Sequence, residues 1–137
     1  MLTLEIITPE RSFPFEEGDE VLIPTTSGII GVRQGHLPLI TILQPGEISV
    51  RHDNGKADEF FAVSGGYAEI LPDRVLILAD SVERSEELNE LKIKEAIQRA
   101  LDIKEQAKDK AELDTAAAAL EVQLARMKVF ERSHKRH

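Results

Sequence analysis

Apolar and polar residues follow two rhythms along this chain. Up to about residue 84 they alternate in short runs, and from Ser85 onward apolar residues recur every three or four positions. Period two belongs to strands, whose side chains point to opposite faces in turn, and a period near 3.6 belongs to helices. The strand-like runs are residues 2–6, closed by Pro9; 20–23, closed by Pro24; 46–51; 59–63; 67–71; and 75–79. Between two of them, Asp53-Asn54-Gly55-Lys56 predicts a hairpin, because Asn and Gly tolerate the positive φ of a tight primed turn. Gly65-Gly66 predicts a bend between strands, and Pro72-Asp73 a further turn. Short strands so closely spaced predict an antiparallel sandwich or barrel.

In the second part, Ile93, Ala96, Ala100, Ile103 and Ala107 share one helical face, and Leu113, Ala117, Leu120, Leu124 and Met127 form a second stripe. Lys108-Asp109-Lys110 interrupts the pattern, so the expectation is two helices in an antiparallel hairpin. No glycine or proline marks that turn, and one extended helix or an opened pair fits the same pattern. An alanine-lined seam buries little apolar area, because each alanine forgoes most of the roughly 1.5–3 kcal/mol that a leucine-sized side chain contributes. The closed hairpin is therefore expected to be marginal.

Punctuation follows the same division: all 8 glycines and all 6 prolines lie at or before Pro72. The 137 residues, 42% apolar and 31% charged, suffice for one modest core. No apolar run approaches the roughly 18 residues of a membrane span, so no direct membrane insertion is expected. MLTLEIITPE has neither the basic segment nor the apolar stretch of a signal peptide. The absence of cysteine fits a cytosolic protein. A net charge of −8 argues against nucleic acid as a partner. Residues 1–84 hold 14 acidic and 6 basic side chains, whereas the remainder holds 11 of each. At the end of the chain Arg126, Lys128, Arg132, Lys135 and Arg136 face only Glu131. These cations either complement a helix C-terminus or form a surface for an acidic partner.

Chemistry is sparse. Gly65-Gly66 lacks the lysine of a phosphate loop. His134 and His137 have i, i+3 spacing without a third ligand, so no metal site is assigned. No Ser-His-acid grouping stands out, and no catalytic residue is assigned. What remains is surface. The stretch SGIIGVRQGHLPLI, residues 27–40, reads as two glycine turns that carry Ile29 and Ile30. Either those isoleucines form a docking patch, or one or both turn inward to the sandwich core.

Several motifs in order resemble the epsilon-subunit family of the rotary F-type ATP synthase, called delta in mitochondria. They are Val21-Leu22-Ile23-Pro24, Ser27-Gly28-x-x-Gly31-Val32, Gly35-His36-x-Pro38-Leu39-Ile40-Thr41 and Pro45-Gly46, then Ala62-Val63-Ser64-Gly65-Gly66-Tyr67-Ala68-Glu69 and Val75-x-Ile77-Leu78-Ala79-Asp80. The resemblance covers essentially the whole chain. It implies an α+β protein, a flattened antiparallel sandwich of about ten strands over residues 1–84 and a regulatory two-helix hairpin over 85–137. It also implies a non-catalytic rotor subunit that couples ring rotation to ATP synthesis and inhibits ATP hydrolysis through its helices. The partners implied are the gamma shaft, the c-subunit membrane ring and, through the helices, the catalytic beta subunit. Ser27, Gly28, Ile29, Ile30 and Gly31 would face the ring, and Gly35, His36, Leu37, Pro38 and Leu39 would lie near them at the foot of the shaft. Many relatives carry an acidic or polar residue where Ile29 stands.

Arg126, Lys128 and Arg132 would supply the basic residues that meet an acidic loop of the beta subunit when the helices extend. Some relatives bind ATP through an Ile/Leu-Asp-x-x-Arg-Ala motif, matched here by Leu88, Asn89, Lys92 and Ile93. Asn89 replaces the acid, Lys92 lacks the guanidinium fork and Ile93 replaces the alanine, so weak or no ATP binding is expected, with Asn89, Lys92 and Arg99 as the candidate contacts. The implied location is the cytoplasmic face of the bacterial inner membrane, held there by partners, with a plastid setting equally compatible. Outside this family, the same features describe a β-sandwich adaptor with a partner-binding hairpin.

Overall fold

The structure, a computed structural model, describes residues 1–135; Arg136 and His137 lie outside the described residues, and with them the second histidine of the i, i+3 pair. Ten strands come first: β1 (Leu2–Ile7), β2 (Glu16–Gly18), β3 (Glu20–Thr25), β4 (Gly28–Arg33), β5 (Leu39–Leu43), β6 (Gly46–Arg51), β7 (Glu59–Val63), β8 (Gly66–Ile70), β9 (Arg74–Ala79) and β10 (Val82–Arg84). A single 3₁₀ turn, Ser85–Glu87, then leads into α1 (Glu90–Gln106) and α2 (Lys110–Lys135).

The strands form one curled sheet in the order β10-β7-β6-β3-β5-β8-β9-β1-β2, with β4 also paired to β3. The sheet folds over where β3 and β5 share only the pair Thr25↔Leu43. Two layers result, β10-β7-β6-β3-β4 and β5-β8-β9-β1-β2. All pairs are antiparallel except β1 with β9, which is parallel. The expected alternation holds on β1, where Leu2, Leu4 and Ile6 are buried between the layers with Val21, Ile48 and Phe61. Gly66 opens β8 at φ 137°. Any Cβ there would collide with the Leu78 carbonyl, so the glycine is what lets β8 lie against β9.

The β6–β7 hairpin forms with Gly46 opposite Val63, but its turn is looser than a primed two-residue one. Only Gly55 takes positive φ, and the Asn54 side chain instead accepts the Lys56 N–H at 3.0 Å. On β7, Phe60, Phe61, Ala62 and Val63 are all buried, because both faces of that strand are covered. Phe61 and Val63 face the sandwich core; Phe60 and Ala62 join Leu88, Ile93 and Val129 in a second cluster beneath the helices.

The turn between the helices needs no glycine because Asp109 caps α2. The Glu112 N–H donates to Asp109 Oδ1 at 2.8 Å and the Lys108 N–H to Glu112 Oε2 at 2.9 Å, a variant of the capping box. The helices form the closed hairpin, but the second predicted stripe holds only in part: Met127 packs on the cluster beneath the helices and Leu120 is half-buried. Among the described residues of α2, Ala116, Val129 and Ser133 are buried, whereas Leu113, Ala117 and Leu124 are exposed. Four consecutive alanines at 116–119 give the pattern no phase, and α2 must face both α1 and the sheet. On α1, Ile93 and Ala100 are buried as expected, and Ile103 is exposed.

Candidate functional site

Residues 27–31 are a hairpin and not a free loop. The turn is Thr26-Ser27, flanked by Thr25, whose Oγ1 donates to the Gly28 carbonyl at 2.6 Å and accepts the Ser27 N–H at 3.1 Å. From Gly28 the chain is already strand β4, so its side chains alternate. Ile29, opposite Pro24, is 76% exposed, and Ile30, opposite Ile23, is half-buried and packs on the sandwich core. The expectation that both isoleucines stand out therefore holds for Ile29 alone; strand geometry turns Ile30 inward.

Gly35 and its neighbours form a second turn. The Gly35 N–H donates to the Pro72 carbonyl at 2.6 Å, and Leu37 at the tip is 80% exposed. Strand β4 runs between the two turns, so they lie at opposite ends of six residues, about 20 Å of extended chain. The nearer ends of the two stretches, Gly31 and Gly35, are four residues apart, at most about 14 Å of extended chain, while the two tips stand farther from each other. What lies beside Ile29 is α2: Ile29, Pro24 and Pro45 share a groove of about 450 Å³ with Leu124, Lys128 and Arg132.

Of the basic cluster Arg126, Lys128 and Arg132 on α2, the two arginines are engaged. Arg126 Nη2 meets Glu83 Oε1 at 2.7 Å while its Nη1 donates to Gln123 at 2.8 Å. Arg132 Nη1 meets Glu47 Oε1 at 2.7 Å, an oxygen that also accepts the Ser49 hydroxyl at 2.9 Å. Lys128 is exposed at the groove. At the start of α1, Asn89 is the N-cap, accepting the Lys92 N–H on Oδ1 at 3.0 Å. Its side chain has a structural task, while Lys92 and Arg99 are exposed.

The root of the helical part is clasped to the N-terminal strands. Arg11 Nη2 donates to the Val82 carbonyl at 3.0 Å and to Glu87 Oε1 at 2.8 Å. That hydrogen bond from Arg11 is the main reason the Glu87 carboxyl sits below its ordinary range. Arg84 pairs with Glu16 at 2.7 Å and lies over the Phe61 ring.

One surface was not singled out in the sequence. Across β5, β8 and β9 the register sets Ile42 opposite Tyr67 and Tyr67 opposite Leu78, and in the next row Ile40 opposite Glu69 and Glu69 opposite Leu76. Ile40, Ile42, Tyr67 and Leu78 are all exposed, on the outer face of the layer that carries no helix. The signal was the run LITIL at 39–43, too apolar for a strand with one wet face. No helix among the described residues is long and apolar enough to cross a membrane.

The family described as "ATP synthase, Delta/Epsilon chain, beta-sandwich domain" matches residues 1–85. The ATP synthase epsilon chain of Syntrophobacter fumaroxidans is 39% identical over 132 residues, covering 96% of this chain and 97% of that one. The ATP synthase epsilon chain of Moorella thermoacetica is 42% identical over 127 residues, 93% of this chain and 94% of the relative. Among solved structures, the chain is similar to one in the cryo-EM structure of the Euglena gracilis mitochondrial ATP synthase OSCP/F1/c-ring in rotational state 1. The TM-score there is 0.78 at 25% identity, covering 96% of this chain and 80% of that one. A chain of the Tetrahymena thermophila central stalk and c-ring shares the fold, with a TM-score of 0.55 at 12% identity.

Proposed function

The chain belongs to the ATP synthase delta/epsilon family and is a central-stalk subunit of the F-type ATP synthase, and from that premise we propose how its surfaces divide the work. Residues 1–84 are the coupling domain and 85–137 the regulatory one. The subunit is non-catalytic: it transmits ring rotation to the catalytic head through the gamma shaft. The observation that carries this reading is the uncovered apolar face of Ile40, Ile42, Tyr67 and Leu78. A patch of this kind, with an aromatic residue at its centre, is what an interface core looks like before its partner arrives. Its occupant is the gamma shaft, and the exposed turn at Gly35, His36, Leu37, Pro38 and Leu39 extends the contact toward the shaft's foot.

The hairpin at Ser27, Gly28, Ile29, Ile30 and Gly31 meets the c-subunit ring through Ile29, with Ile30 as its anchor in the core. The helices are a brake on ATP hydrolysis: extended, they offer Arg126, Lys128 and Arg132 to an acidic surface of the catalytic beta subunit. The compartment is the cytoplasmic face of the bacterial inner membrane, where the protein is held by these partners. Replacing Ile42 and Tyr67 together by aspartate tests the reading. Loss of co-purification with the gamma subunit is expected, with unchanged thermal unfolding of the free chain. Undiminished co-purification would overturn the assignment of this face.

A further inference from the structure

Two carboxylates of the sandwich stand where they can hold the same arginines that the brake would use. In the sheet, β6, β7 and β10 are neighbours, and their registers put Glu47 and Glu83 on either side of Ala62. Residues in one cross-strand row point to the same face. Ala62 lies in the cluster under the helices, so both carboxylates rise on the helix side. They are two strand spacings apart, about 9.6 Å. On α2, Arg126 and Arg132 are six residues apart, a rise of about 9 Å, and Val129 lies midway. At about 100° per residue, the arginines flank Val129 by about 60° on each side. Arg126-x-x-Val129-x-x-Arg132 thus matches Glu83, Ala62 and Glu47, with the buried valine packed in the cluster that holds Ala62 and an ion pair of 2.7 Å on either side.

We propose that Glu47 and Glu83 are an electrostatic latch: by occupying Arg132 and Arg126 they hold α2 on the sandwich and withhold those arginines from any acidic partner. The second half of this statement rests on the brake reading above; the latch itself does not. The latch is poised and not locked. Among the described residues three buried side-chain polar atoms lack a hydrogen-bond partner, and two of them, Glu47 Oε2 and Arg126 Nε, belong to these two pairs. Each pair therefore carries an unmet desolvation cost on one atom. The small Ala62 admits α2 closely but adds little burial of its own. An acidic surface that satisfies the guanidinium groups more fully competes directly with Glu47 and Glu83.

Because the chain has no cysteine, a spin-label pair at Lys56→Cys on the β6–β7 loop and Glu131→Cys on α2 reports closure in the full chain. Double electron–electron resonance would be read for the otherwise unchanged chain, for Glu47→Gln with Glu83→Gln, and for Val129→Asp as the open reference. At low salt the double Gln variant is expected to shift the closed-to-open ratio about tenfold toward open, as two partly exposed ion pairs allow. Rising salt is expected to bring the unaltered chain toward the variant and to leave the variant unmoved. Identical distance distributions in the two chains at every salt concentration would overturn the latch. Reconstituted with the catalytic core, the variant is expected to inhibit hydrolysis more strongly. A variant that opens yet inhibits no better would overturn the brake and leave the latch standing.

Discussion

Ile93→Ala should undock the helices and leave the sandwich intact. Ile93 is fully buried and clusters with Phe60, Leu88 and Val129, none of which except through β7 reaches the core between the layers. Truncation to alanine removes three carbons, about 2.4 kcal/mol at roughly 0.8 kcal/mol each, with a further cavity term. Alanine is the better helix former by up to about 0.7 kcal/mol, which offsets part of that loss within α1 itself. The net of about 2–3 kcal/mol falls on docking, where few other large side chains share it. Hydrogen exchange read peptide by peptide should show protection in α1 and α2 falling by about 30- to 150-fold. Amides of β1 and β9 should keep theirs, because the core around Leu4 and Ile77 does not include Ile93. Equal loss in β1, β9 and the helices would refute the reasoning, since sandwich and helices would then be one cooperative unit.

Three further outcomes follow from single residues. Ile29→Asp should change unfolding free energy by less than about 0.5 kcal/mol while weakening coupled proton pumping, whereas Ile30→Asp should cost about 2 kcal/mol or more, because it places a charge against the core; equal destabilisation by both in urea titration would contradict the strand alternation. Glu87, whose carboxyl is held below its ordinary range by Arg11, contributes stability above the unfolded-state value near 4.5 and loses it as pH falls through the folded value. The difference between the unaltered chain and Glu87→Gln should thus be present at neutral pH, at most about 1 kcal/mol for so exposed a pair, and fade in acid; a difference that persists below the carboxylate range would contradict it. Asn89→Ala should cost α1 about 1 kcal/mol of capping, visible as fraying of its first turn in hydrogen exchange. Calorimetry should detect no ATP binding at about 1 mM or tighter in the unaltered chain.

Much of the sandwich was legible because its strands have one wet face. β1 alternates cleanly, the β6–β7 hairpin is marked by Asn54-Gly55, and Gly65-Gly66 marks the start of β8. β4 and β5 were hidden for opposite reasons. Glycines at 28 and 31 made β4 look like a loop, and LITIL has no alternation to read, because Ile40 and Ile42 are exposed on one face while Leu43 is buried on the other. The Asp109-Lys110-Ala111-Glu112 cap between the helices was present in the sequence but carries no glycine or proline to draw attention to it. The candidate site was legible only by halves. A basic stretch in α2 is visible in any reading of the charges, whereas Glu47 and Glu83 lie 36 residues apart and become neighbours of one alanine only through the pairing of β6, β7 and β10.

ATP hydrolysis by the reconstituted catalytic core, with the full chain and with a chain ending at Glu87, tests the brake most directly. The shortened chain keeps the Arg11–Glu87 clasp and the whole apolar face, so it should still bind. Faster hydrolysis with the shortened chain, both chains being bound, is expected if residues 88–137 restrain rotation. Equal rates would contradict that role and leave the helices without a regulatory function.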